Sequence, residues 1–185
     1  MEIVNGYNRK CRSNIAGVKA VWLLKWQKYN RSQIITNGNI LVDFPDTFIH
    51  RFDSLTTPTA SETIQENDGG KFYEQTISMS FKATTSREFD QLIKSDYRLV
   101  FQDNNGLYRI FGLYNGMQCN AIDFRTGGGK NELNGYAFTL TAQEEKESFF
   151  IEDLAAIGLS EEDFFLLFQN DDFMVTQNND KLIYR

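Results

Sequence analysis

The sequence predicts a mainly β protein: an antiparallel β-sandwich or barrel with one covering helix and a short α/β appendage at the C-terminal end. Three observations predict it. Between Tyr97 and Glu144 apolar runs of β type alternate with Asn/Gly-rich turns: YRLVFQ, DNNG, LYRIFGLY, NG, MQCNAIDF, RTGGGKNELNG, YAFTLTAQEE. Only two prolines, Pro45 and Pro58, interrupt 185 residues, so long strands are permitted. A helical pattern breaks the strand series once, before a helical and hairpin stretch that closes the chain.

Val18–Trp26 is the first strand, with Val18, Ala20, Trp22, Leu24 and Trp26 on one face and Lys19, Val21, Leu23 and Lys25 on the other. Two Trp on one face read as core. Gln33–Phe44 reads as a hairpin about Asn37-Gly38, and Thr47–Phe52 as a further short strand. Asp53–Gly70 is polar throughout and far longer than the roughly 4–6 residues of an ordinary connection, so it is expected to be a loop, free or engaged with a neighbour. Lys71–Ala83 alternates strictly, with Ile77, Met79 and Phe81 inward and Thr76, Ser78, Ser80 and Lys82 outward.

Thr85-Ser86-Arg87-Glu88 is a capping-box start for the covering helix, which carries Phe89, Leu92 and Ile93. In the strand series that follows, Tyr97, Leu99 and Phe101 share a face, and Asp103-Asn104-Asn105-Gly106 supplies the turn. The next run has large residues on both faces, so both faces of this sheet meet something: a second layer inside the domain or a neighbouring subunit. Phe149–Leu159 is amphipathic and breaks at Gly158. Ser160-Glu161-Glu162-Asp163 caps a second short helix, and Phe173–Tyr184 reads as a last hairpin. The division expected is a β domain over 1–147 and an acidic helical and hairpin extension over 148–185, too short to bury a core alone.

Charge is unevenly spread. Residues 1–31 hold seven basic side chains against one acid, and residues 141–185 hold eleven acids against three basic side chains. These are either two solvated surfaces or two docking patches, Arg9, Lys10 and Arg12 against Glu161, Glu162 and Asp163. The basic segment with Tyr7, Trp22, Trp26 and Tyr29 could touch phosphates, but the overall net charge of −6 repels nucleic acid. No apolar stretch approaches the roughly 18–20 residues of a membrane helix, and no apolar segment follows the basic start as in a secretory signal. The expectation is a soluble chain that stays where it is made unless an assembly carries it.

The residues do not spell out catalysis. His50, the single histidine, lies among Phe48, Ile49 and Phe52, with no Ser or Cys nucleophile context around it. Cys11 and Cys119 lack metal-ligand spacing and read as free thiols, so a zinc site is excluded. Gly127-Gly128-Gly129-Lys130 lacks phosphate-loop spacing, and Asp103–Gly106 lacks the remaining ligands of a calcium loop. Adjacent acids such as Glu144/Glu145 point apart on a strand. The chain is expected to be no enzyme and to hold no cofactor.

Several segments in order carry a resemblance: Cys11, then Gly17-Val18-Lys19-Ala20-Val21-Trp22-Leu23, then Phe72-Tyr73-Glu74-Gln75-Thr76, then Asp103 through Gly116, then Leu133-Asn134-Gly135-Tyr136 with Thr139-Leu140-Thr141 and Glu144-Glu145. This order, over residues 11–147, resembles small tail-tube or tail-ring proteins of phages that infect Bacteroidetes, including crAss-like phages. Ala16-Gly17 stands where many of those proteins have Gly-Gly, and residues 148–185 have no counterpart.

The resemblance implies a virion structural subunit, made in the host cytoplasm and resident in the tail. It would form a homo-oligomeric ring of six or twelve copies against other tail or connector proteins, with DNA only in passage and no membrane. Acidic residues lining the lumen would let DNA slide. On this reading Asp53, Thr57, Pro58, Glu62, Asp68 and Gly69 belong to an inter-subunit arm. Gly127, Gly128, Lys130, Asn131 and Glu132 belong to a loop at a ring face or the lumen. The alternative is a β-sandwich binding module of a fibre, recognising a receptor or carbohydrate through Tyr108, Tyr114 and Tyr136. A hydrolase is disfavoured by the missing nucleophile constellation.

Overall fold

Large β-branched and aromatic residues at alternate positions give each extended segment a face to bury, and strands dominate accordingly. A computed structural model describes residues 15–45, 47–54, 56–67, 69–82, 94–129 and 133–161. Its strands are β1 Val18–Lys25, β2 Ile35–Asn37, β3 Ile40–Asp43, β4 Thr47–Phe52, β5 Thr59–Asn67, β6 Gly70–Lys82, β7 Tyr97–Asp103, β8 Tyr108–Phe111, β9 Gln118–Arg125, β10 Gly135–Glu144, β11 Phe149–Ile151 and β12 Leu159–Glu161. They form two sheets, of order β12-β4-β1-β7-β8-β11-β3-β2 and β5-β6-β10-β9. The smaller sheet is antiparallel throughout. In the larger, β11–β3 and β12–β4 are parallel pairs. Among the described residues neither sheet closes into a barrel.

Two apolar clusters lie on opposite faces of the central strands. One draws Val21, Leu23, Leu99 and Phe111 from the larger sheet and Ile77, Met79, Phe138 and Leu140 from the smaller, so it joins the sheets. The other collects Trp22, Val100 and Ile110 from the centre with Leu41, Ile49, Phe149 and Leu159 from strands towards both ends, so the larger sheet curls over it. The two-sided apolar pattern after Tyr97 is thereby satisfied inside one chain, by a second layer and by the curl. No neighbouring subunit is needed to cover it.

Tyr97, Leu99 and Phe101 do share a face. The strict alternation in β1 does not hold, because the register slips between Val18 and Ala20 and puts them on opposite faces. A bulge of this kind turns one residue over without ending the strand. Ile77 and Met79 point inward as expected. Ser80, expected outward, is buried, because Ser54 and Thr56 fold onto it: Ser54 Oγ donates to the Ser80 carbonyl at 3.0 Å.

Four expectations are corrected. The β2–β3 hairpin turns about Gly38-Asn39, with Asn37 opposite Ile40, one residue later than the Asn-Gly pair suggests. The polar stretch Asp53–Gly70 is no loop over its second half: Thr59–Asn67 pairs along its whole length with β6. Thr and Ser with a few apolar residues suffice for a strand whose backbone is satisfied by a strongly apolar partner. Phe149–Leu159 is not helical overall. It is β11, a single 3-10 turn at Ala155–Ile157 and then β12, and Gly158, in the left-handed region, ends that turn.

Ser160 and Glu161 belong to β12 and do not cap a helix. The boundary at 147/148 therefore cuts the larger sheet, to which β11 and β12 both belong. The covering helix around Thr85–Ile93, the remainder of the second helix and the last hairpin lie outside the described residues.

Phe138, 1% exposed, packs edge-on against Phe81 at 5.4 Å between the sheets. Phe138→Ala is expected to cost about 3–5 kcal/mol of stability, read as a fall in the chemical-denaturation midpoint.

Candidate functional site

The segment Gly112-Leu113-Tyr114-Asn115-Gly116 joins β8 to the bridge between Met117 and Tyr97. A side chain at Gly112 is barred twice. Its φ is +65°, and a Cβ would lie 2.6 Å from Met117 Cγ and 2.8 Å from the Met117 backbone nitrogen. Side chains from both sheets then hold the turn. Gln75 Oε1 on β6 accepts from Gly112 N at 2.8 Å. Glu144 Oε1 at the end of β10 accepts from Tyr114 N at 3.0 Å and from Asn115 N at 2.8 Å. Arg98 Nε on β7 donates to the Leu113 carbonyl at 2.7 Å, and Trp26 Nε1 to that of Tyr114 at 3.2 Å.

Arg98 is 1% exposed, boxed by the rings of Trp26, Tyr29 and Phe44 with its guanidinium carbon 4.9–5.7 Å from their centroids. Its Nη2 donates to the Gln27 carbonyl at 2.7 Å. Burial lowers its pKa to about 10, and the fields of Tyr29 and Glu144 resist that fall, so it stays charged at neutral pH. Glu144, 3% exposed, has its carboxyl raised by burial, against the amides of Asn115 and Tyr114 and the charge of Arg98, which lower it. Arg98 Nη1 and Glu144 Oε2 are buried without a hydrogen-bond partner. A second polar tie runs beside this one: Glu62 Oε2 on β5 accepts from Ser148 N at 2.9 Å and from Gln75 Nε2 at 3.3 Å.

Outside this junction lies a cleft of about 290 Å³ lined by the β5–β6 hairpin tip (Asn67, Gly69, Gly70, Lys71), by Asn115 and by Gln143–Glu145. It offers amides and carboxylates for hydrogen bonding but no Ser, Cys or His. Among the described residues no group of three or more His, Cys, Asp or Glu could hold a metal ion.

The other functional candidates are the two edges of the smaller sheet. β5 and β9, nine and eight residues long, pair on one side only. They present Ile64, 63% exposed, and Phe124, 52% exposed. Long exposed edges carry rows of backbone donors and acceptors open to another strand.

Of the residues singled out for an arm, Asp53 is exposed beside Arg51 at 3.0 Å, Thr57 is exposed and Pro58 is buried. Glu62 points into the polar tie and reaches no neighbour. Gly69 lines the cleft, and Asp68 lies outside the described residues. Gly127 and Gly128 follow β9 in the exposed connection to β10. Lys130, Asn131 and Glu132 lie outside the described residues, as do Arg9, Lys10, Arg12, Glu162 and Asp163, while Glu161 ends β12. The structure does not gather these residues into one site. Tyr108 packs against Trp22 at 5.9 Å and Tyr114 against Phe149 at 6.2 Å, so both serve the core.

Arg98 and Glu144 escaped attention in the sequence as a pair, since 46 positions separate them. A charged residue in the apolar run Tyr97–Phe101 was the available signal for Arg98. No family model, curated protein or solved structure matches the chain.

Gly112→Ala is expected to destabilise the fold by about 1–3 kcal/mol in a denaturation experiment, the cost of a non-glycine residue in left-handed backbone plus the clash. The raised carboxyl of Glu144 sets a pH dependence. Its contribution to stability is fully present below the ordinary glutamate range, about 4.3, and is lost as pH rises through the raised value. The stability advantage of wild type over Glu144→Gln should therefore shrink between about pH 4 and pH 7. A difference independent of pH would contradict the assignment.

Proposed function

We propose that this chain is a structural, non-enzymatic virion protein, a subunit of a ring in a phage tail or head-tail connector around the genome-passage channel. Its two sheets are read as the layers of a β-sandwich. The observation that carries the reading is the pair of long exposed edges on one antiparallel sheet, β5 and β9. Edges of this length are left open where another strand will cover them, and two different edges on one subunit generate a heterologous, ring-forming contact. The partners are further copies of the chain and neighbouring tail proteins, with DNA in transit only.

The cleft between Asn67–Lys71 and Gln143–Glu145 favours a second reading, a binding module of a fibre that takes a small polar ligand such as a carbohydrate. Mass in solution separates the two. Light scattering at several protein concentrations and salt levels should give a closed multiple of the 21.4 kDa chain for a ring subunit. Loosening by salt would assign part of the contact to the charged ends of the chain. A monomer at every concentration, with saturable sugar binding, would replace the ring by the binding module.

A further inference from the structure

We infer that successive copies join by antiparallel pairing of the β9 edge of one copy with the β5 edge of the next, staggered by six residues so that Ile64 lies opposite Ile122. The inference rests on the ring reading and names its contact. The strand sense permits it. The smaller sheet has four alternating strands, so a neighbour in the same orientation presents its β5 antiparallel to β9.

Neither edge carries the usual protection, since both lack Pro and Lys. β5 is regular along all of its pairing with β6. β9 has one bulge, at Asn120. Charge selects which edges meet. Pairing β5 with β5 would set Glu62 and Glu66 of two copies along one face. The corresponding face of β9 carries Cys119, Ile122 and Phe124 and no charge.

The stagger follows from register. Ile64 lies opposite Tyr73 of β6, whereas Ile122 lies opposite Phe138, which pairs with Met79, six residues further along the same strand. Without a stagger only Thr59–Ser61 and Gln118–Ala121 would overlap. An odd shift would place inward side chains opposite outward ones. A shift of six sets Ser61–Asn67 along Gln118–Arg125, with Ser61 opposite Arg125 and Thr63 opposite Asp123. It brings the exposed Ile64 and Phe124 onto one face as near neighbours.

Six residues advance the chain by about 20 Å while four strands span about 19 Å, a strand tilt of about 45°, at the upper end of the range for closed barrels. A ring so formed keeps the larger sheet on its outside, because that sheet covers the face bearing Ile77 and Phe138. The opposite face, with Thr59, Ser61, Thr76, Ser78, Thr139 and Thr141, is left for the bore, which would be hydroxyl-rich and almost uncharged.

Thiol cross-linking tests the contact. In a chain with Cys11→Ser and Cys119→Ser, Ile64→Cys and Ile122→Cys are made singly and together. The exposed pair Ser61→Cys and Arg125→Cys is a second probe of the same register, should Ile122→Cys not fold. Oxidation should yield dimer from a mixture of the two single variants, none from either alone, and a ladder of multiples from the double variant. Dimer from Ile64→Cys alone would overturn the pairing in favour of β5 on β5. An oligomer by mass with no cross-link at either pair would overturn it and leave the ring reading standing. A monomer by mass at every concentration would overturn both.

Discussion

The structure depends on one buried charge arrangement: Arg98 on the larger sheet and Glu144 on the smaller, both gripping the backbone turn between Gly112 and Gly116. Taking two charges out of water is costly, and mutual attraction offsets that only when the remaining hydrogen bonds are made. Here they largely are. Arg98 finds two carbonyls and three aromatic rings, and Glu144 finds two amides. Apolar contact between sheets tolerates sliding, whereas these bonds hold at one register only. The turn thus sets how the sheets are placed, with Gln75 and Glu62 as a parallel tie.

That constraint bears on the assembly reading. Both faces of the central strands are covered within the chain, and the inner face of the smaller sheet is held by the junction. What remains open is lateral: the edges β5 and β9. A subunit rigid between its layers and open at its edges suits repetition, because a small angular error at each contact would prevent a ring from closing. The cleft beside Glu144 lies at the end of the same sheet, so a ligand there would act on the element that carries the edges.

Much of the fold was legible in the sequence. The runs at Val18, Lys71, Tyr97 and Gly135 became long strands because their alternating large residues leave no other economical burial. The polar stretch from Asp53 was misread in its second half. Thr59–Asn67 has little apolar content and takes its strand from β6, a partner that a local pattern does not show. Phe149–Leu159 was misread for a related reason: at three residues each, β11 and β12 are shorter than any periodicity can establish, and parallel pairing with distant strands decides them.

By itself the sequence determined the class: strands, turns at the Asn/Gly clusters, a core rich in aromatics, and no constellation of catalytic residues. These follow from local stereochemistry and from the two-residue period of an extended chain, which each segment carries alone. Only the tertiary structure decided that Arg98 and Glu144 meet, that Gly112 tolerates no side chain, and that β5 and β9 end as the two open edges of one sheet. Each of these depends on which distant segments lie side by side. That choice is made by the whole core at once, through burial and hydrogen bonds summed over both sheets, and no short stretch of the chain contains it.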